Sequence, residues 1–334
     1  MSSATPSITH GGALEAPPRR RLPWQTAVKR VLGAIVVLWA AATLCFVLQE
    51  LSPGDPAIAI LGGSGARPTE QQLEQTNERY GLNDPVLERY GRFISNLATG
   101  DLGTSYQYKQ PVTTLISEQV GPTLVLIFVS TALAWVIAVP LTLLTAGRGR
   151  ARSSFGSGLE AFFAGVPPYW LGLVLLVVFA FELGWFPVTG GTSPDALLLP
   201  ALTLALPLAG FLGQVTRDEF DRGLKQPFAI SARTRGASEN EVRRRHVLRH
   251  AMLPGITLTG WAIGATISGA VLVEIIYARP GLGQVLVNAV SNQDLPVVVG
   301  VTMLVALIYV VVNLLVDLLY VIVDPRLRTA GRAA

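Results

Sequence analysis

Apolar residues run along this chain in long unbroken stretches rather than in the short alternations of a water-soluble fold. Six of the stretches are long enough to cross a bilayer as helices, at 31–51, 124–146, 159–183, 197–215, 255–276 and 297–323. Hydrocarbon about 30 Å thick takes roughly 20 residues at 1.5 Å each. With no water there to satisfy backbone N–H and C=O groups, each run must be helical. The longest hydrophilic stretch, 52–122, separates the first two runs. Within it "RPTEQQLEQTNERYGLNDPVLERYGRFISNLATGDLG" carries helix formers broken by Gly and Pro, which predicts a few short helices. Pro167 and Pro168 interrupt the third run and predict a kink there, with the freed carbonyls met by neighbouring helices.

Composition agrees. Half of the 334 residues are hydrophobic, 14% are charged and the mean hydropathy is +0.46, too apolar for a soluble domain. The formal charge of +4 does not point to nucleic acid, because the basic residues gather at the ends of the apolar runs. Arg19, Arg20, Arg21, Lys29 and Arg30 precede the first run or open it; Arg148, Arg150 and Arg152 follow the second; Arg326, Arg328 and Arg332 follow the last. The loop 184–196 has no basic residue and 277–296 has only Arg279. The positive-inside bias then places both termini in the cytoplasm. Residues 1–22, rich in Ser, Pro, Gly and Thr, are expected to be a disordered cytoplasmic N-terminus, and 23–51 the first transmembrane helix. The first run reads as an uncleaved anchor, since "LQELSPGDP" offers no small-x-small cleavage site. Residues 52–122 form an extracytoplasmic helical insertion over the outer mouth; its five basic residues do not oppose this, because long loops cross regardless of charge. Residues 123–323 make a core of five further spans that contains a cytoplasmic loop at 217–254, and 324–334 is a cytoplasmic tail.

The candidate chemistry is sparse. Cys45, the single cysteine, lies inside an apolar run and reads as a small hydrophobe. There is no G-x-x-x-x-G-K-[ST] phosphate loop and no H-E-x-x-H, so the usual nucleotide and metallohydrolase constellations fail and no catalytic residue is assigned. An ion-driven secondary carrier would need ionisable residues deep in its spans. The clear intramembrane acid is Asp317, near the cytoplasmic end of the last run, while Glu182 and Glu274 fall at the outer interface; all three read first as acids bonded to a neighbour or reaching the interface.

One segment departs from this sparseness. "ISARTRGASENEVRRRHVLRHAMLPG", residues 230–255, sets arginines around a glycine between two apolar runs. It reads as two short helices. The first covers 226–235 and Gly236 ends it in a left-handed turn; Ser238 caps the second, with Glu239 and Glu241 suiting its dipole, and Pro254 ends it at the membrane. A charge of about +4 over 217–250 makes either a docking surface or a solvated loop carrying the topology signal, and charge alone leaves both open. His246 and His250 lie one turn apart, but four nearby arginines oppose a shared metal.

The segment resembles the "EAA" loop of permease subunits in ABC importers, where an Ala, three residues, a Gly, about nine residues and a hydrophobic stop mark the helix pair that plugs into an ATPase. The match runs through Ser231, Ala232, Arg233, Thr234, Arg235, Gly236 and Ala237. It departs at the leading Glu, here Ile230, and at the early Leu-Pro, here Leu248-Arg249 with Leu-Pro delayed to 253–254. The delayed form is similar to the dipeptide and oligopeptide branch, the first permease subunit in particular. Further matches follow in order: "LSPGDPA", "YGLNDPVLERYGRFISNLATGDLGTSY", "GVPPYWLGLVLLVVFAFELGWFPVTG", "IIYARPGLGQVLVNAVSNQDLPVVVG" and "VNLLVDLLYVIVDPRLR". The resemblance implies an all-α membrane protein of the type I ABC importer permease fold, in the bacterial inner membrane, whose coupling contacts lie on Ser231 to Ala237. It implies a second, homologous permease completing a heterodimer, one or two ABC ATPase subunits that bind ATP and Mg, and an extracytoplasmic substrate-binding protein, with no cofactor or metal held by this chain. The implied cargo is a di- or oligopeptide; the same branch serves nickel, glutathione and oligosaccharides.

Overall fold

Proline opens five of the thirteen α-helices among the described residues, since its fixed φ suits a first turn whose N–H has no partner. The computed structural model describes residues 23–51, 54–62, 67–189, 191 and 193–323, without the side chains of 23–27 and 316–323. The expected N-terminal segment 1–22, the tail 324–334 and the side chain of Asp317 lie outside the described residues.

Helix α1, Pro23–Leu51, leads into a short α2, Pro56–Ile60. Helices α3, Glu70–Tyr80, and α4, Val86–Ala98, follow. Thr69 and Gln72 close a capping box at the start of α3, and Gly81 ends it at φ 60°. These are the short helices expected of the insertion. Helix α5, Val112–Thr145, starts about ten residues before the second apolar run, so Pro122 lies inside it rather than at its threshold. Its first turns are held by packing, with Val112, Leu115 and Ile116 buried against Leu282, Val297 and Val301.

The third run is broken at its prolines far more sharply than a kink. Helix α6, Arg150–Gly165, and helix α7, Pro168–Leu175, which widens into a π-helical stretch at Leu176–Glu182, meet at 101°. A residue before proline is pushed out of the helical region, and here two in succession are extended, Val166 at ψ 127° and Pro167 at ψ 128°. Helix α8 is Pro194–Gly223 and helix α9 is Pro227–Thr234. A single turn, α10 at Glu239–Glu241, runs through a π-helical stretch, Val242–Val247, into α11, Leu248–Ile276. Pro254 therefore lies inside a continuous helix and does not end one, because neighbouring groups in a membrane helix can satisfy the carbonyl it frees. Helices α12, Leu282–Ser291, and α13, Leu295–Val323, complete the described chain. Among the described residues five helices are long and apolar enough to cross a membrane, or six if the bent pair counts as one span.

Helix α8 is the axis. It buries two-thirds (67%) of its apolar window against 11% for α1. Small residues make this possible: Ala201, Ala205 and Ala209 are all but fully buried, and a side chain at Gly210 would come within 2.5 Å of the Ala164 nitrogen and the Glu160 carbonyl of α6. In a bilayer helices gain little from apolar burial against one another, so close backbone approach through small residues drives the packing.

Candidate functional site

The helix pair expected at the cytoplasmic loop is present. Gln226 is extended ahead of α9, and Arg235 and Gly236 close it. Gly236 has φ +87°, where its N–H donates to the Arg233 carbonyl (2.9 Å) and the next N–H, of Ala237, donates to that of Ala232 (3.1 Å). This pair of bonds is a Schellman closure, and it satisfies carbonyls that a helix end leaves orphaned. Ser238 is extended and its Oγ accepts from Glu241 N at 3.3 Å, so the chain re-enters a helix two residues after leaving one.

One face of α9 is buried and small. Ala229 and Ala232 pack with Phe220, Val242, Val247 and Ala251, under the C-terminal end of α5 at Ala146. The other face carries Ile230, 52% exposed, with Phe228 beside His250 at 5.0 Å between ring centroids. Arg233 holds Glu239 through Nε (3.0 Å) and Nη2 (3.2 Å) and donates to the Leu224 carbonyl at 3.1 Å, which ties both helices to the end of α8. Its hydrogen bonds to Glu239 raise the guanidinium pKa further, so this side of the tie stays charged. Arg235 donates to the Ser231 Oγ at 2.6 Å, and the Thr234 hydroxyl donates to the Ser231 carbonyl at 2.9 Å. The residues singled out from sequence, Ser231 to Ala237, thus form one rigid hairpin with an outward face.

Two arginines counted in the basic surface are not on it. Arg243 is 2% exposed, stacks over Phe220 at 4.8 Å and donates to the carbonyls of Leu143 (2.9 Å) and Ala146 (2.5 Å) at the end of α5. Arg217 is buried against Glu160, its Nε and Nη2 at 2.6 and 2.8 Å from the two carboxylate oxygens, with Thr145 Oγ1 accepting a further bond at 2.5 Å. Sequence reasoning missed both roles. A hint was available for Arg243, since cations favour helix C-termini, but Glu160 and Arg217 are too far apart in the chain to be paired from sequence. The exposed basic surface reduces to residues such as Arg235, Arg244, Arg245 and Arg249.

Glu274, read as an acid bonded to a neighbour or reaching the outer interface, is fully buried and bonded to a neighbouring helix. Its carboxylate accepts from Thr123 Oγ1 (2.6 Å) and from Gly283 N (2.7 Å), while Thr123 Oγ1 accepts from Leu282 N at 2.9 Å. The chain after α11 folds back over the acid, and that covering could not be seen as periodicity. Glu182 is exposed at the end of the π-helical stretch.

A family model for the inner membrane component of binding-protein-dependent transport systems matches residues 138–329, and one for the N-terminal part of such components matches 24–127. The chain belongs to this family. This permease is 37% identical over 313 residues to the oligopeptide transport system permease protein AppB of Bacillus subtilis, covering 90% of this chain and 98% of that one. It is 33% identical over 302 residues to the glutathione transport system permease protein GsiC of Escherichia coli K12, with the same coverage. Among solved structures, a chain of the methionine ABC transporter MetNI in an inward-facing conformation aligns with a TM-score of 0.51 at 19% identity, over 63% of this chain and 96% of that one. That likeness is one of fold, and it confirms the type I importer permease architecture. The protein is an integral membrane permease subunit of a binding-protein-dependent importer.

Proposed function

We propose that this permease forms half of the pore of an ATP-driven importer of di- and oligopeptides, with both termini in the cytoplasm and 52–122 outside. The near full-length match to an oligopeptide permease carries the substrate class. Its partners are a second, homologous permease, one or two cytoplasmic ATPase subunits and an extracytoplasmic binding protein. ATP and Mg belong to the ATPases; this chain holds no cofactor or metal and performs no catalytic step.

The hairpin around Gly236 couples the two. Its exposed face, with Ile230 and Arg235, enters a socket on the ATPase, and its buried face is fastened to the ends of α5 and α8 through Arg243 and Arg233. Closure of the ATPases on ATP moves the hairpin, and the helices fastened to it follow. The ATP-bound ATPase must contact one pore state better than the other, because a partner with equal affinity for both shifts nothing.

The test is reconstitution of the four-component complex in vesicles. Peptide-loaded binding protein should stimulate ATP hydrolysis and peptide uptake together; uptake by this chain driven by an ion gradient without ATPase would overturn the reading. Mass spectrometry of what the cognate binding protein carries separates peptides from the second reading, glutathione, which the GsiC likeness favours.

A further inference from the structure

Helix α4 is strongly two-sided, yet none of its residues is buried. At 100° per residue, Val86, Tyr90, Phe93 and Leu97 fall on one stripe and Leu87, Gly91, Ile94 and Ala98 on the stripe beside it. Glu88, Arg92, Ser95 and Asn96 occupy the opposite side.

The first stripe packs on α1. Tyr90 and Phe93 lie 5.2 and 5.5 Å from the Phe46 ring, the Tyr90 and Thr43 hydroxyls are 2.8 Å apart, and Arg89 pairs with Glu50. These contacts fix the depth of α4. Thr43 lies two turns below the end of α1 at Leu51, roughly 12 Å along its axis. A helix that reaches this far down a transmembrane helix lies at the level of the bilayer surface.

The polar side of α4 faces water. Arg92 and Asn96 line a cavity of about 490 Å³ shared with Glu78, Arg79, Asp84 and Asp101. The second apolar stripe faces away from that cavity, and among the described residues it is largely uncovered, with Leu87, Gly91 and Ala98 exposed and Ile94 half-buried. Leu87 is 80% exposed and the neighbouring Val86 of the first stripe 56%; α1 is itself exposed at Val47, on the flank of its contact with α4, and at Leu44, Leu48 and Leu51 on its far side. The open stripe of α4 thus stands beside a helix that is long and apolar enough to cross a membrane and is little buried.

We propose that α4 is an interfacial helix, its stripe of Leu87, Gly91, Ile94 and Ala98 set into the headgroup and upper acyl region beside the end of α1. Lipid is the occupant because α4 packs along the side of a little-buried membrane span, at the depth of Thr43 to Glu50. Amphipathic helices in this position bury their apolar face about 5–10 Å into the boundary region. Tyr90, with its ring on Phe46 and its hydroxyl on Thr43, is the kind of residue that marks this level. The helix thereby holds the insertion at a set height above the bilayer. The inference rests on the membrane reading of α1 and not on which leaflet is outer.

Site-directed spin labelling tests it in the assembled complex, in vesicles of phosphatidylethanolamine and phosphatidylglycerol. Nitroxides go on Leu87→Cys, Ile94→Cys, Glu88→Cys and Ser95→Cys in a Cys45→Ala background. Labels at Leu87 and Ile94 should collide several-fold more with membrane-dissolved oxygen than with a water-soluble nickel chelate, and labels at Glu88 and Ser95 the reverse. Equal nickel accessibility at Leu87 and Glu88 would place the helix in water and overturn the proposal. Low collision with both probes at Leu87 and Ile94 would show a protein partner on the stripe, which also overturns it. Collision with oxygen does not depend on the leaflet, so an inverted topology would leave this result unchanged and show itself in thiol labelling instead.

Discussion

At Gly236 nothing stands within 4 Å of where a side chain would begin, so the need for glycine there comes from the backbone alone. A φ of +87° costs a residue with a side chain of the order of 1 kcal/mol, and a β-branched one more. Gly236→Val should therefore leave the spans folded and turn α9 off its seat on Phe220 and Val247. In reconstituted complexes this variant is expected to assemble with its partner permease and lose binding-protein-stimulated ATP hydrolysis and uptake together; unchanged stimulation would refute the coupling role. The Arg217 and Glu160 pair acts on stability instead. Removing one partner of a buried pair leaves an uncompensated charge at about 3–5 kcal/mol, whereas replacing both by apolar groups can be close to neutral. Glu160→Leu should lower the melting temperature in detergent sharply, and Glu160→Leu with Arg217→Met should regain most of the loss. Equal melting of the single and double variants would mean that the pair is not what holds α6 to α8. Gly236 was legible as a residue because its turn is local. Arg217 was misread as surface charge because its partner comes from another helix.

At the scale of elements, the insertion is locked to the core through one carboxylate. Asp294, fully buried just ahead of α13, accepts from Ser105 Oγ (2.5 Å), Tyr106 N (3.0 Å) and Gln107 N (3.1 Å). Burial, with the nearby charges of Tyr80 and Asp294, pushes the Tyr106 hydroxyl up to about 12, so that phenol stays neutral through the range of growth. Asp294→Ala takes the acceptor from the buried Ser105 hydroxyl and from two partly buried backbone N–H groups, and a buried donor without a partner costs about 1–3 kcal/mol. The turn at 104–111 should then become open to added protease while the spans remain protected. Protection equal to that of the unaltered protein would show that the Thr104 to Pro111 bridge alone suffices. The bend between α6 and α7 belongs to this scale too. Two consecutive prolines announce a break, but its 101° angle follows from how α6 lies along α8 through Gly210.

For the whole molecule the prediction concerns which way it faces. The proposed orientation, with the insertion outside, rests on the distribution of Arg and Lys. A cysteine at Thr69, which caps α3, in a Cys45→Ala background should react with an impermeant thiol reagent in intact cells. Labelling that requires lysis would invert the topology, and with it the assignment of the Gly236 hairpin to the ATPase side.

What the sequence determined by itself is what depends on neighbours along the chain. Run length set the number of spans, since each helix satisfies its own backbone in lipid; the order of caps, glycine and proline set the hairpin at 226–238; and linear motifs placed the chain in its family. The tertiary structure alone decided which ionisable groups are paired and where apolar surface is left open. Glu274 at the interface and Glu274 under the loop 277–283 have the same sequence environment, and only the fold-back of α12 distinguishes them. Likewise α4 reads as amphipathic from sequence, but its depth is fixed by contacts with Thr43, Phe46 and Glu50 some forty residues earlier. Charge burial and membrane depth are properties of position in space, so they follow from the packing of distant segments and carry no periodic signal.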